Sequence, residues 1–549
     1  MRPLLNIQMT ILPQLIQSLA DSLSALGLPK RDIKLTPPNN PDFGDFATNV
    51  ALTLTKEAGI PPIQIANNIK DHLGVSLTLI EEITVTPPGF INFKIAPTYY
   101  YQILSEILTN KQFGRGISGN GKKANVEFVS ANPTGPLTVG HGRNAVLGDT
   151  VSNILEWHGY DVTREYYFND AGRQMRILGK SVETRYFQIL GHDIVFPENG
   201  YQGNYIKDIA QTILDKKGKS LSASDPVFKD QAEKTIFADI KKSLNNLGIH
   251  FDQFTNEKTF YENGDIDRFL EELKAKDLIY EKEGATWFRA TALGKDQDRV
   301  YIKSSSEPTY RVPDTAYHRN KIARGFDLII DIFGSDHTDT YPDVLLALNA
   351  LGENTDNIRV LIYQFVTLLR GGEKVKMSTR KANFVTMDDL VDEVGADVVR
   401  YFFIMRGMNT HLNFDLDVAA DQSEKNPVYY LQYAHARICN IIKHGETMGI
   451  STNSNYNPTL LDNPAEIRLL KNLDKFPSMV ENVLQTLEPQ TIATYLHDTA
   501  IFFHKFYAEC RVITDDAELT NARIALVSAT RIILANGLGL LGISSPEKM

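Results

Sequence analysis

The stretch VEFVSANPTGPLTVGHGRNAVLGD, residues 126–149, decides the fold of this 549-residue chain. Its first five residues are rich in β-formers, and a turn of asparagine, proline and glycine residues follows them. After Gly140, apolar residues recur at helical spacing, at Leu147, Val151, Ile154 and Leu155. The stretch therefore predicts a strand at residues 126–130, a glycine-rich turn and a helix.

A turn between a strand and a helix favours a bound anion. Free backbone N–H groups and the positive end of the helix dipole both point at that place. Gly140 and Gly142 would let the backbone approach a nucleotide closely, and His141 adds a hydrogen-bond donor. Neither a Walker A motif nor a dinucleotide GxGxxG accompanies the turn, and a lone Gly-His-Gly is also typical of a structural turn.

A second segment, GGEKVKMSTRKANFVTMDDL at residues 371–390, carries basic side chains around a serine and a threonine. Such a loop is suited to closing over a polyphosphate and neutralising its charge, although charge runs are more often solvated turns. Thr386, followed by Asp388 and Asp389, predicts a helix N-cap after the loop.

The length predicts three or four domains, and 42% hydrophobic residues allow large cores. We expect an α+β unit at 1–115, an α/β domain at 116–400 with a mixed, charged insertion at about 184–295, and a helical domain at 401–549. Residues 111–123, KQFGRGISGNGKK, predict a linker. Further strands are expected at 162–168, 327–332 and 359–362. One helical face in the last domain comprises Ile492, Tyr495, Leu496, Thr499, Phe503 and Phe506, and a helix at 522–534 is expected to end at Asn536-Gly537.

Composition excludes several classes of protein. Two cysteines, Cys439 and Cys510, exclude a disulfide framework and a cysteine-rich zinc module, and they fit a reducing cytosol. A net charge of −10 argues mildly against a nucleic-acid partner but allows a local basic groove. No apolar run approaches the roughly 18 residues of a membrane span, so no membrane is expected. Apolar residues near the N-terminus fit an amphipathic helix ending at Gly27 rather than a signal peptide: Leu12, Ile16, Leu19, Leu23 and Leu26.

The motifs together resemble one family. ANPTGPLTVGH at 131–141 resembles the HIGH region of class I aminoacyl-tRNA synthetases, and KMSTR at 376–380 resembles their KMSKS loop. The chain is similar, over nearly its whole length, to the arginyl-tRNA synthetase family. The remaining matches are REYYFNDAGRQM (164–175), NPVYYLQYAHARI (426–438), GLGLLGISSPEKM (537–549), and, for the N-terminal additional domain, FGDFATN (43–49) and GFINF (89–93).

The resemblance implies a multidomain α/β protein. It would have a Rossmann-like class I catalytic domain, an N-terminal α+β domain that contacts tRNA, and a C-terminal all-helical anticodon-binding domain. The implied reaction is ATP-dependent ligation of L-arginine to tRNA(Arg) through an arginyl-adenylate. Magnesium is expected because polyphosphate chemistry usually employs it, although no carboxylate cage for a metal is recognisable. Monomer is the family default.

The resemblance also implies roles for individual residues. The catalytic residues would be His141, Lys376, Thr138 and Arg380. Arginine would contact Glu127, Ser130, Asn132, Tyr310 and Asp314, with either Asp336 or His337 completing the site. ATP would contact Pro133, Gly135, Gly140, His141, Asn144, Gln364, Lys376, Met377 and Ser378. The anticodon would meet Tyr429, Tyr433 and Arg437, although tyrosines at this helical spacing are also typical of a core.

The chain departs from the family pattern at two positions. Thr138 stands where HIGH has its first histidine, and Thr379 stands where KMSKS has its second lysine. Either Arg380 or Lys381, adjacent on the loop, would then supply the missing cation. Two other classes are open: a small-molecule nucleotidyltransferase with a similar turn, and a non-catalytic RNA-binding relative. The helical C-terminal domain argues against the first, and the intact arginine-contact residues argue against the second.

Overall fold

The computed structural model describes residues 11–38, 40–74, 79–170, 172–375, 385–450 and 456–549. The N-terminal unit is a three-stranded antiparallel sheet with the order β1-β3-β2, on which α2 and α4 pack. Its elements are α1 (Ile11–Ala25), β1 (Phe46–Thr48), α2 (Val50–Thr53), α3 (Thr55–Ala58), α4 (Pro62–Asp71), β2 (Ile80–Thr86), β3 (Phe90–Ile95) and α5 (Pro97–Thr109). The predicted helix at the N-terminus is α1, but its buried face is Ile11, Leu15, Leu19 and Leu23, and Ile16 is exposed.

The central unit is built on a five-stranded parallel sheet with the order β11-β10-β4-β5-β6. Its elements are β4 (Lys123–Glu127), α6 (Val139–Trp157), β5 (Asp161–Phe168), α7 (Gly172–Ile189), α8 (Asn204–Lys217), α9 (Val227–Asn246), β6 (Gln253–Asn256), α10 (Lys258–Glu262), α11 (Asp265–Ala275), β7 (Ile279–Lys282), β8 (Ala285–Phe288), β9 (Arg299–Ile302), α12 (Arg311–Ala323), β10 (Leu328–Gly334), α13 (Tyr341–Leu351) and β11 (Ile358–Tyr363). The Rossmann-like prediction is confirmed.

The stretch 184–295 is not a uniform insertion. β6 lies inside it, yet it pairs with β5 at the edge of the central sheet, and its Phe254 packs against Tyr166 at 5.6 Å between ring centroids. Four residues are too few to show the alternation that marks a strand in sequence. The separate part of the stretch belongs to the small antiparallel sheet β7-β8-β9, whose last strand, β9, lies wholly after residue 295.

β4 ends three residues earlier than predicted. It stops at Glu127, because Val129 and Ser130 have φ of 67° and 44° and lie in the left-handed region, which cannot continue a strand. A β-branched residue rarely adopts that conformation. The side-chain oxygen of Asn144 accepts the Val129 N–H at 2.8 Å and holds the bend.

A small connecting unit follows the central sheet. It contains β12 (Val366–Arg370), β13 (Glu373–Lys374), α14 (Met387–Val394), α15 (Ala396–Ile404), β14 (Leu412–Asp415) and α16 (Leu416–Ala420), with the sheet order β13-β12-β14. The expectation that residues 401–549 are entirely helical is therefore wrong at β14. In β14, buried Leu412 and Phe414 flank exposed Asn413, which is the alternation of a half-buried strand.

The C-terminal unit is a bundle of five α-helices: α17 (Pro427–Thr447), α18 (Pro464–Asp474), α19 (Phe476–Thr486), α20 (Gln490–Glu509) and α21 (Ala517–Leu540). The predicted buried face of α20 is confirmed. The predicted end at Asn536-Gly537 is wrong, because α21 continues to Leu540. A Cβ at Gly537 would lie 2.5 Å from Leu496 Cδ2, so this glycine allows two helices to pack closely and does not end one.

By length and composition α21 could cross a membrane, contrary to the expectation that no such run exists. Within its most apolar window, however, 67% of the residues are buried inside the protein. That degree of burial is typical of a core helix in a globular protein.

Arg400 joins distant parts of the chain. From α15, its guanidinium donates to Leu541 O at 2.9 Å, Leu247 O at 3.0 Å and Asp149 Oδ2 at 2.5 Å. Asp149 lies on α6, and Leu541 directly follows α21. Gly542 has φ of 66°, and a Cβ there would collide with the guanidinium. The backbone directly after α21 is therefore fixed to α6, the helix that begins in the turn with His141.

We predict that Arg400→Met lowers the free energy of unfolding by roughly 3 kcal/mol or more, since it leaves a buried carboxylate and two carbonyls without their donor. The midpoint of urea unfolding measures this. The control is Arg468→Met, an exposed arginine 3.9 Å from Glu509, for which we expect a change within about 0.5 kcal/mol. Equal losses for the two variants would contradict the role of Arg400.

Candidate active site

The predicted site residues gather where β4 and β10 end. Strand order reverses between these two neighbours, and ligands of open α/β sheets bind at such points, outside the carboxyl ends of the strands. A cavity of about 1290 Å³ opens there, and its lining includes Asn132, Asn169, Glu257 and Tyr310.

His141 is a neutral hydrogen-bond donor in this site. Thr138 is the N-cap of α6, and its N–H donates to His141 Nδ1 at 3.2 Å, so the second ring nitrogen, Nε2, carries the proton. Burial lowers the pKa of His141, and Asp336 acts in the opposite direction. Thr138, predicted to be catalytic, is thus placed to orient His141.

The glycines of the turn have different roles. A Cβ at Gly140 would meet only the Thr138 hydroxyl, 3.8 Å away, so the space beside Gly140 is open. At Gly142 a Cβ would collide with Met387 Sδ, so this glycine serves the packing of α14 on α6 and not the approach of a nucleotide. Gly135 lies under Tyr205, whose hydroxyl donates to Thr134 O at 2.9 Å. Pro133 is buried in the same turn.

Two residues predicted to contact ATP have hydrogen-bond partners within the protein. The Asn144 amide accepts from Val129 N–H and donates to Ile332 O at 2.9 Å, so both of its ends are used within the protein. The backbone oxygen of Gln364 accepts from Arg143 at 2.6 Å. Arg143 is fully buried and also donates to Thr410 O and Gly407 O. Sequence reasoning missed Arg143, which lies in the motif but contacts segments more than 200 residues away.

Four charged side chains form a buried network below the cavity. Lys321, fully buried on α12, contacts Glu127 and donates to Asp331 Oδ1 at 2.5 Å. His318 Nε2 donates to Asp331 Oδ2 at 2.9 Å, and its Nδ1 donates to Asp314 O at 2.8 Å. Both partners of His318 are acceptors, so the ring is an imidazolium, and Asp331 raises its pKa against the effect of burial. Two cations thus face two carboxylates.

Asp314 and Glu257 are the carboxylates that this network leaves unbalanced. Burial raises the pKa of each to about 7. Glu257 accepts from the Tyr167 hydroxyl at 3.1 Å and from Asn169 Nδ2 at 2.7 Å, both neutral groups. The Asp314 carboxylate accepts no hydrogen bond and forms no ion pair within the described ranges. Glu257 was missed, because it follows the short strand β6.

Tyr310 and Asp314 lie at the start of α12. Tyr310 is the N-cap and Asp314 N–H donates to its carbonyl at 3.1 Å. Pro313 does not prevent the helix, since an N-terminal turn needs no donor at that position. The Tyr310 side chain is 65% exposed at the cavity wall.

The remaining residues predicted to contact arginine lie in two places. Ser130 donates to Glu127 Oε1 at 2.8 Å, and Asn132 lines the cavity and donates to Gln174 Oε1 at 2.9 Å. Asp336 and His337 follow β10 in a 3₁₀ turn and are both largely exposed. Asp336 influences the pKa of His141, so the structure places it toward the glycine-rich turn.

The predicted loop residues Lys376, Met377, Ser378 and Arg380 lie outside the described residues. Where the description resumes, Thr386 forms an isolated β-bridge with Thr138, and Met387 N–H donates to Leu137 O at 2.9 Å. Thr386 and Asp389 form the capping box of α14, which confirms the predicted N-cap. The end of the loop is therefore attached to the turn that carries His141.

The three predicted tRNA-binding residues form one half-buried row on α17. The rings of Tyr429 and Tyr433 are nearly parallel, with centroids 6.2 Å apart. Arg437 donates to the Tyr433 hydroxyl at 2.6 Å and lies 4.4 Å from the ring centroid of Tyr507. Neither tyrosine is a core residue, but the Tyr433 ring is stacked with Tyr429 and also with His504, at 6.3 Å between centroids. The tRNA-binding role of these residues stays a prediction.

Comparisons with known proteins agree along the whole chain. Three family models match: the arginyl tRNA synthetase N terminal domain at residues 13–95, the catalytic domain of class I (R) tRNA synthetases at 103–400, and the DALR anticodon binding domain at 431–549. The arginine--tRNA ligase of Desulfotalea psychrophila is 48% identical, with 96% of each chain covered. The chain belongs to the arginyl-tRNA synthetase family.

Other members of the arginyl-tRNA synthetase family support this assignment. The arginine--tRNA ligase of Salinibacter ruber is 48% identical over 94% of this chain and 96% of its own. The solved arginyl-tRNA synthetase of Thermus thermophilus has a TM-score of 0.76 at 22% identity and covers 98% of this chain and 100% of its own, which shows a shared fold. The predicted fold class is therefore confirmed in all three domains.

We predict that Lys321→Met lowers the free energy of unfolding by roughly 3–5 kcal/mol near neutral pH, because it leaves Glu127 and Asp331 buried together without their shared cation. The loss should shrink as the pH falls, since protonation then neutralises the two carboxylates. Urea unfolding at two pH values measures both effects. Lys303→Met, at an exposed lysine of the cavity wall, is the control and should change little. A pH-independent loss would contradict the electrostatic explanation.

Proposed function

We propose that the protein ligates L-arginine to tRNA(Arg), and that the unbalanced pair of Asp314 and Glu257 recognises the arginine side chain. A guanidinium is planar, always charged and rich in donors, and it is best met by carboxylates. Glu257 lines the cavity, and Asp314 directly follows Pro313, which also lines it. Lys321 and His318 are already engaged with other carboxylates. The substrate would supply the cation that the folded site lacks.

This arrangement also rejects lysine. An ammonium is a compact charge that cannot make two parallel hydrogen bonds to a carboxylate. Lysine would therefore leave buried acceptors poorly paired, and polar sites of this kind can discriminate by ~10⁴ or more. Asn132 and Tyr310, on the cavity wall, are placed to hold the rest of the amino acid.

Adenylate formation would need positioning and charge stabilisation rather than a general base. The arginine carboxylate is already ionised at neutral pH, so it can attack the α-phosphate of ATP directly. His141 would donate from Nε2 to the phosphates, together with N–H groups at the start of α6. The KMSTR residues, including Lys376 and either Arg380 or Lys381, are proposed to supply the mobile positive charge.

Magnesium is proposed to arrive with ATP. Among the residues that the structure describes, no three histidine, cysteine or acidic side chains converge as a metal site, so no residue is assigned to hold the ion. For tRNA, we propose that Tyr429, Tyr433 and Arg437 stack on unpaired anticodon bases and that the N-terminal unit contacts the outer corner. A monomer in the cytoplasm is the proposed state.

The test of this function is arginine-dependent exchange between ATP and pyrophosphate, measured with and without tRNA. We expect exchange with arginine that requires tRNA, and no exchange with lysine. Exchange that ignores both additions would indicate a small-molecule nucleotidyltransferase. Affinity for tRNA without any exchange would indicate a non-catalytic relative.

The raised pKa values predict that arginine binding depends on pH. The empty site holds protons on Asp314 and Glu257 below about pH 7, and a guanidinium binds only their ionised forms. The KM for arginine should therefore fall by roughly 10-fold to 100-fold between about pH 6 and pH 8, with release of protons on binding. Asp314→Asn should flatten the profile, whereas Glu307→Gln, at an exposed cavity residue, should not. A flat wild-type profile would contradict this account.

A further inference from the structure

Glu257 is held by two neutral donors from the end of one strand. The Tyr167 hydroxyl, on β5, donates to Glu257 Oε2 at 3.1 Å. Asn169, which directly follows β5, donates from Nδ2 to the other oxygen, Oε1, at 2.7 Å. Residues two apart on an extended chain project to the same side, so the end of β5 supplies a donor to each oxygen of one carboxylate.

This arrangement fixes the orientation of the Glu257 carboxylate. An ionised carboxylate has about four acceptor positions on its two oxygens, and the two donors occupy one position on each. The remaining positions form a pair that can accept two parallel N–H groups of a guanidinium. A carboxylate held in advance loses less conformational entropy when a planar fork of donors binds to it.

Tyr167 is itself fixed to β4 through its backbone. The pairing of β4 with β5 ends at Glu127 and Glu165, so the N–H of Tyr167 has no ladder partner on that side. It donates instead to the Ser130 hydroxyl at 3.2 Å, and that hydroxyl donates to Glu127 Oε1 at 2.8 Å. Ser130 therefore connects Tyr167 with the buried charge network below the cavity.

The ring of Tyr167 is fixed to α12. It stacks on Tyr317 with 4.2 Å between the ring centroids and 7° between the planes. Tyr317 is 1% exposed, and the Lys321 ammonium lies 4.3 Å from the centroid of its ring, which is a cation–π contact. The stack thus connects Tyr167 with the cation that neutralises Glu127 and Asp331.

We propose that Tyr167 and Asn169 are positioning residues for arginine, which hold Glu257 so that its remaining acceptor positions face the guanidinium. Tyr167 does not line the cavity, so it acts through Glu257 and not by contact with the substrate. The inference rests on the proposed function, since it deepens the role assigned there to Glu257.

The hydrogen bond from Tyr167 also favours the ionised form of Glu257. Burial raises the pKa of Glu257, and the Tyr167 hydroxyl lowers it. The other titratable groups near Glu257 are Asp170 after β5, Tyr261 on α10 and Asp314 on α12, and none of them is a cation. Removal of the Tyr167 hydroxyl should therefore shift the pH dependence of the KM for arginine to higher pH.

The test is Tyr167→Phe in the full-length protein, measured by arginine-dependent exchange between ATP and pyrophosphate in the presence of tRNA. The KM for arginine should rise roughly 10-fold at pH 7, as for loss of one hydrogen bond to a charged group, while kcat and the KM for ATP stay within about two-fold. Tyr317→Phe is the matched control. It keeps the stacked ring and removes a buried hydroxyl that has no partner among the described residues, so it should leave the KM unchanged.

A double-mutant cycle with Glu257→Gln distinguishes positioning from a general effect on packing. In the Glu257→Gln background, Tyr167→Phe should change kcat/KM for arginine by about two-fold or less, because the carboxylate through which it acts is gone. If Tyr167→Phe does not fold, Asn169→Ala enters the same cycle with the same expectation.

Equal losses in the two backgrounds would overturn the positioning role. So would an unchanged KM or an unshifted pH profile for Tyr167→Phe, or an equal rise in KM for Tyr317→Phe. In each of these cases the wild-type protein would still catalyse exchange with arginine. Failure of the wild-type protein to do so would instead defeat the proposed function.

Discussion

The active-site end of the central sheet depends on one buried ammonium group. Lys321 comes from α12 and connects Glu127, at the end of β4, with Asp331 on β10. Parallel strands bring their carboxyl ends to one edge, so two buried carboxylates there would repel each other without a cation between them. Because this cation belongs to the protein, the buried carboxylates below the cavity are balanced, and this edge of the sheet stays folded when no substrate is present.

The same charge balance underlies the proposed recognition of a guanidinium. His318 and Lys321 are fully engaged below the cavity, whereas Asp314 and Glu257 have only neutral partners or none among the described residues. The empty protein compensates by holding protons, which is what their raised pKa values express. A substrate that is planar and cationic replaces those protons. In the proposed site, specificity would follow from a charge deficit that the fold itself builds, and not from pocket shape alone.

Sequence patterns predicted those parts of the site that lie within one short segment of the chain. The strand, the turn with His141 and the capped helix α14 each lie within one short segment, and the family resemblance supplied Glu127, Asn132 and Asp314. The network was not accessible in this way, because Lys321 and Asp331 meet Glu127 only after β4 and β10 pair. Glu257 was not predicted, because the four-residue strand that it follows, β6, has no recognisable pattern in sequence. The left-handed bend at Val129 depends on Asn144, a contact that no local propensity indicates.

Helix α6, whose first turn carries His141, is held at two places along its length. Thr386 and Met387 attach the end of the basic loop to residues 137–138, at the start of α6. At the middle of α6, Asp149 accepts a hydrogen bond from Arg400. Arg400 also donates to the carbonyl of Leu541, directly after α21. One helix thus connects the nucleotide end of the site with the end of the anticodon bundle. A movement of the bundle that shifts Leu541 would therefore also act on the helix that positions His141.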